Sequence, residues 1–136
     1  MKELFEDETF DCVIDKGLLD SILCGAYSKQ NSRKMLLEIS RVLKNKGYYI
    51  CVSYGDPDIR FHYFDNKDYN WIRLAQTPYK VFKPNIDEAD KKIIFDDKDK
   101  EKNKDYYHYI YILEKGSDIF QNIESHINSS NLVSKP

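Results

Sequence analysis

Two short apolar runs flank one segment of helical period, and this arrangement most constrains the fold. The first run is TFDCVID, residues 9–15. Val13 and Ile14 are β-branched, and apolar side chains fall on both faces, which suits a parallel strand covered by helices on either side. The second run is YYICVSY, residues 48–54. Between them lies NSRKMLLEISRVLKNK, residues 31–46, in which Met35, Leu36, Ile39, Val42 and Leu43 recur at i, i+1, i+4, i+7 and i+8. That spacing predicts a helix with one apolar face. Asn31 or Ser32 can cap its start, Lys44 and Lys46 suit the negative end of its dipole, and Gly47 stands where a C-terminal cap is expected. Strand, helix and strand in this order argue for a parallel pair within an α/β sheet.

The rest of the chain extends that unit. Gly17 permits a sharp turn after the first strand, and residues 18–23 begin a short helix ending near Gly25. Pro57 is placed to open a further helix, with Ile59, Tyr63 and Phe64 on its apolar side. A third strand is expected at residues 71–77. The fourth is YYHYIYILE, residues 106–114, whose tyrosines alternate with His108, Ile110 and Ile112. No helix separates these last two strands, so they are expected to pair antiparallel as a long hairpin. Residues 84–105 are lysine-, aspartate- and asparagine-rich and read as a mobile charged insertion within a single domain of residues 1–116. Residues 117–136 read as a polar tail, with one helical turn around 119–127.

Composition excludes several classes. A length of 136 residues allows one domain with a modest core. The net charge of −2 gives no general attraction to nucleic acid or an anionic membrane. No apolar run approaches the ~20 residues a membrane helix needs. The acidic start, MKELFEDETF, is no signal peptide, so an intracellular, cytoplasmic protein is expected. Cys12, Cys24 and Cys51 form no CxxC pair and read as buried free thiols. With His62, His108 and His126 scattered, no metal site is expected.

Open α/β sheets bind ligands outside the carboxyl ends of their strands. Two polar loops leave such ends here: Asp15-Lys16-Gly17, and Ser53-Tyr54-Gly55-Asp56-Pro57. Adjacent parallel strands would bring them together as one cleft edge with a carboxylate, an amine, a hydroxyl and a phenol. Aspartate and glycine after a strand are also ordinary turn chemistry. Equally, Lys16 can be a solvated turn residue, Tyr54 a core-edge aromatic, and Asp20 a stabiliser of its helix start.

FDCVIDKGLLDSIL, residues 10–23, followed by EISRVLKNKGYYICVSYGDPDIR, residues 38–60, resembles the second half of a class I S-adenosylmethionine-dependent methyltransferase. The resemblance is to the group containing elongation factor 1-alpha lysine methyltransferases and the methyltransferase-like domain linked to endothelin-converting enzyme. That group carries D/E-K-G-T-L-D after a strand, matched by residues 15–20 with Leu18 in place of threonine. It then carries E-x-x-R-V-L-x-x-G-G, matched by Glu38, Arg41, Val42, Leu43 and Gly47, with Lys46 in place of one glycine. Pro57, Arg60, Tyr63 and Trp71 also match, as does the aromatic strand before Lys115-Gly116.

The resemblance implies a partial Rossmann-like fold: the family's strands four to seven, in the order four, five, seven, six, with an antiparallel last strand and without the first three. It implies S-adenosylmethionine as cofactor, with Asp15, Lys16, Gly17 and Leu19 at its edge. Asp15 and Tyr54 are the implied catalytic residues, and Ser53, Tyr54 and Arg60 the acceptor-side ones. The implied substrate is a protein lysine. The family's glycine-rich cofactor loop has no match: the five glycines stand at 17, 25, 47, 55 and 116, with no GxG. The expectation is a truncated, inactive methyltransferase, or else a non-catalytic module. An exposed edge or face of the strand at 9–15 would then favour a homodimer.

Overall fold

The computed structural model describes residues 4–73, 78–82, 85–87, 92–94 and 107–116. Strand β1 (Phe10–Lys16) leads through Gly17 into helix α1 (Leu18–Cys24) and the longer α2 (Ser28–Val42). Strand β2 (Leu43–Ser53) follows, then α3 (Pro57–Phe64), a 3-10 turn at Lys67–Tyr69, β3 (Trp71–Arg73) and β4 (Tyr79–Phe82). Two short strands, β5 (Asn85–Asp87) and β6 (Lys92–Ile94), pair with each other, and β7 (Tyr107–Lys115) completes the main sheet. Most of the expected charged insertion, and the whole expected tail, lie outside the described residues.

The main sheet runs in the order β1-β2-β7-β3, with β4 also on β7. Strands β1 and β2 are parallel, and β7 is antiparallel to β2. Strands β3 and β4 lie in succession along the other edge of β7, both antiparallel to it. Of the third strand expected at 71–77, residues 71–73 form β3 and residues 74–77 lie outside the described residues, while β4 takes up the pairing further along β7. The β1–β2 register shifts between Phe10, opposite Leu43, and Cys12, opposite Tyr48.

That shift also relocates the end of the main helix. Val42 closes α2, and Leu43 already has extended backbone (φ −77°, ψ 136°). Lys44 and Lys46 thus serve the irregular start of β2 and not a helix end. Lys44 reaches the Asp11 carboxylate at 3.0 Å, and Lys46 turns the chain with φ 64°. Gly47 is required by close approach: a Cβ there would stand 2.9 Å from the Lys44 carbonyl oxygen and 3.0 Å from that of Asp11. The helix also starts earlier than its caps suggest, at Ser28, because Tyr27 adopts a left-handed conformation (φ 54°) that turns the chain into it.

The three helices cover one face of the sheet. Leu19, Leu36, Ile39 and Phe64 pack on Tyr49, Cys51, Tyr109, Tyr111 and Leu113, the inward-pointing residues of β2 and β7. Full burial of each leucine stabilises the fold by about 1.5–3 kcal/mol. In α3 the inward positions are Arg60 and Phe64, while Ile59, expected on the apolar side, is exposed. Arg41 ties the N-terminal segment to this layer, pairing with Glu38 and Asp7 and donating to the Phe5 carbonyl.

On the opposite face, alternation places Cys12 and Ile14 of β1, Ile50 and Val52 of β2, Ile110 and Ile112 of β7, and Tyr79 and Val81 of β4. No helix among the described residues covers them, and Ile14 is 70% exposed. Helices on both sides were expected from the apolar pattern of β1. The same bareness leaves Cys12 exposed, with Cys24 exposed on α1, so of the three thiols only Cys51 is buried. No helix among the described residues is long and apolar enough to cross a membrane.

Candidate functional site

The carboxyl ends of β1 and β2 meet through the Gly17 turn. Gly17 adopts φ 76°, a left-handed conformation that L side chains rarely take, and its amide donates to the Val52 carbonyl at 3.0 Å. A Cβ at Gly17 would find nothing within 4 Å, so the backbone there faces open space.

Asp15 points inward from this turn and is 4% exposed. Its carboxylate accepts from the Leu18 amide at 2.7 Å and the Leu19 amide at 3.1 Å, supplying first-turn partners for α1. The Tyr49 hydroxyl donates to it at 3.0 Å, and the Cys51 thiol lies 3.7 Å away. Burial, reinforced by the neighbouring acids, raises both of those partners: the Tyr49 phenol lies well above its usual range, and the Cys51 thiol is pushed up to about 12.

A second network sits on the loop after β2. The Ser53 hydroxyl donates to Asp20 Oδ1 at 2.5 Å and accepts from the Gly55 amide at 3.0 Å and Arg60 Nε at 2.9 Å. Arg60 Nη2 donates to Asp20 Oδ1 at 2.8 Å, and the Tyr54 amide donates to Asp20 Oδ2 at 2.9 Å. The Tyr111 hydroxyl closes the group on the Gly55 carbonyl at 2.6 Å.

Of the residues selected from sequence, Lys16 is exposed and Tyr54 is 58% exposed, its ring 4.5 Å from that of His108. Gly17 offers open backbone. Asp15, Leu19, Ser53 and Arg60 are interior, the last two joined through Asp20. The turn and the loop do lie side by side, joined by the Gly17–Val52 and Asp20–Tyr54 bonds. Sequence reasoning gave Asp20 only a helix-start role, and its place as the common partner of Ser53, Tyr54 and Arg60 emerges from the fold. Its signal was a second acid five residues after Asp15, in the first turn of α1.

For a methyl-donor cofactor the fit is partial. The Gly17 turn and Lys16 present accessible backbone and charge at one edge. Asp15 and Leu19, named with them from sequence, face the core. A cavity of about 230 Å³ lies elsewhere, between α2 and α3 beside Arg33 and His62.

No protein-family model matches the chain. It is 40% identical over 57 residues to the human eEF1A lysine and N-terminal methyltransferase, covering 40% of this chain and 8% of that protein. It is 30% identical over 83 residues to mouse EEF1A lysine methyltransferase 4, covering 55% of this chain and 32% of that one. The chain thus spans about a third or less of the length of these relatives. Among solved structures, a Thermus thermophilus protein named as a DNA modification methylase superposes with a TM-score of 0.52 at 15% identity, over 85% of this chain and 48% of that one. The fold is a partial Rossmann-like class I methyltransferase fold, and the sequence is similar to the eEF1A lysine methyltransferases over part of its length.

Proposed function

We propose that this chain carries the acceptor-side half of an S-adenosylmethionine-dependent methyltransferase that acts on a protein lysine. The observation that carries the proposal is the juxtaposition of the open Gly17 turn with the pinned loop bearing Tyr54, in a chain similar to protein lysine methyltransferases. S-adenosylmethionine, when bound, would supply the transferable methyl group. Lys16 and Gly17 form the edge that would meet it. Asp15 acts through the turn whose helix it holds, and Tyr54 is the group exposed toward an acceptor amine. Such an amine has to be deprotonated and placed in line, so fixed positioning is what the protein must contribute. Ser53 and Arg60 support Tyr54 from beneath.

The sequence holds no GxG, so the glycine cradle for the cofactor is not among these residues. The chain by itself is therefore proposed to be inactive. Amide NMR titration with S-adenosylmethionine tests this. Weak, millimolar binding with shifts confined to Lys16, Gly17, Tyr54 and Gly55 is expected. Micromolar saturation would show that no cradle is missing, and an absence of shifts at the turn would end the methyltransferase assignment.

A second reading, a non-catalytic module that self-associates, is favoured by one observation. Strand β1 pairs only with β2 among the described residues and exposes Cys12 and Ile14. Light scattering at micromolar concentration should give twice the monomer mass, reduced to the monomer by Ile14→Lys. A monomeric wild-type chain would exclude the dimer.

A further inference from the structure

We infer that Asp20 is the positioning residue for the acceptor-side loop: it fixes the backbone at Tyr54 and thereby the direction of the Tyr54 ring. The functional meaning of this inference rests on the methyltransferase assignment above; the geometry does not. Asp20 stands on α1, yet its side-chain hydrogen bonds leave that helix for β2 and α3. Oδ1 takes the Ser53 hydroxyl and Arg60 Nη2, and Oδ2 takes the Tyr54 amide. The pair it makes with Arg60 is well sheltered, with side chains 14% and 8% exposed.

The consequence is a loop tied at three backbone groups of two consecutive residues. The Tyr54 amide goes to Asp20, the Gly55 amide to Ser53, and the Gly55 carbonyl to Tyr111. Loops at strand ends ordinarily satisfy such groups with water and move. Here a half-exposed aromatic projects from backbone tied to side chains of α1, β2 and β7. A functional side chain is held to useful precision only when a second set of groups fixes it. The two acids of DKGLLD thus divide their work: Asp15 holds the start of α1, and Asp20 uses α1 as the platform from which to hold the neighbouring loop.

Amide hydrogen exchange followed by NMR on the full chain distinguishes this from a plain helix-stabilising role. In Asp20→Ala the Tyr54 amide should exchange roughly ten- to a hundredfold faster, the worth of one hydrogen bond to a charged group. The Gly55 amide, held by Ser53, should change less, and the Asp15 and Cys51 amides of the sheet should not change. Ser53→Ala should give the converse, releasing Gly55 while Tyr54 stays protected. Should Asp20→Ala not fold, Asp20→Asn and Ser53→Ala give the same contrast. Acceleration limited to α1, or equal acceleration throughout, would overturn the inference. The assignment of the site is tested separately by the S-adenosylmethionine titration, so a chain that ignores the cofactor but shows the selective release keeps the positioning role and loses only its purpose.

Discussion

Replacing Gly55 with alanine should destabilise the chain, and the cost should vanish when Arg60 is removed. A Cβ at position 55 would stand 2.1 Å from Arg60 Nη2 and 2.4 Å from Cζ and Nε. Ordinary contact needs about 3.5 Å or more, so the guanidinium must retreat by over an ångström. It has little room, since it is bonded to Ser53 Oγ at 2.9 Å and to Asp20 at 2.8 Å. Hydrogen bonds to charged groups contribute roughly 1.5–3 kcal/mol each, partly recovered if the guanidinium reaches water. Against that, alanine reduces the freedom of the unfolded chain by about 0.4–1 kcal/mol in its favour. The net expectation is a loss of roughly 2–3 kcal/mol. In an Arg60→Met background the obstructing atoms are absent, and Gly55→Ala should be neutral or slightly stabilising. Urea melts of the wild type, both single variants and the double variant give the coupling directly. Its expected size is about 3 kcal/mol. Costs that add to within ~0.5 kcal/mol would refute the packing of Arg60 beneath Gly55.

Leu36→Ala should lower stability by about 2–5 kcal/mol, because Leu36 is 1% exposed in the centre of the helix–sheet contact; a lowered urea midpoint checks it. Tyr111→Phe removes the 2.6 Å bond to the Gly55 carbonyl and should cost about 1 kcal/mol, read as a fall in Tm. Stability should also fall at high pH. The folded Cys51 thiol keeps its proton up to about 12 whereas the unfolded one releases it near 9.0. Between those values the folded state binds the extra proton, so each such group removes up to ~1.4 kcal/mol per pH unit. Tyr49, raised for the same reason, adds to the slope. Urea melts at successive pH values should show the decline beginning near 9, and Cys51→Val should shallow it.

The elements were legible where a local pattern alone decided them. The apolar period of α2, the β-branched run of β1 and the alternation of β7 each announced their structure. Where long-range contacts decided, sequence was less informative. The end of α2 depends on the β1–β2 register, which pulls Leu43 out of a helix that its side chain would have extended. In α3 a buried arginine displaces the expected apolar residue, because Ser53 and Asp20 are already in place to receive it. At the site, the two loops were legible as neighbours, since parallel strands force that. The inward turn of Asp15 and the reach of Asp20 across to Tyr54 depend on side-chain partners more than thirty residues away, which no local spacing encodes.

The position of β7 governs how the chain can assemble during synthesis. It is the last strand described, yet it lies between β2 and the β3–β4 edge. Neither β3 nor β4 has any other strand partner in the main sheet among the described residues. Until residues 107–115 leave the ribosome, the described strands of the main sheet can form only the β1–β2 pair, and β3 and β4 wait for their partner. Folding must therefore close a loop of some fifty residues from β2 to β7 before the tyrosine-lined core exists. Loop-closure entropy grows only logarithmically, so lengthening the charged stretch before β7 would cost little stability. The long-range pairing instead sets the rate.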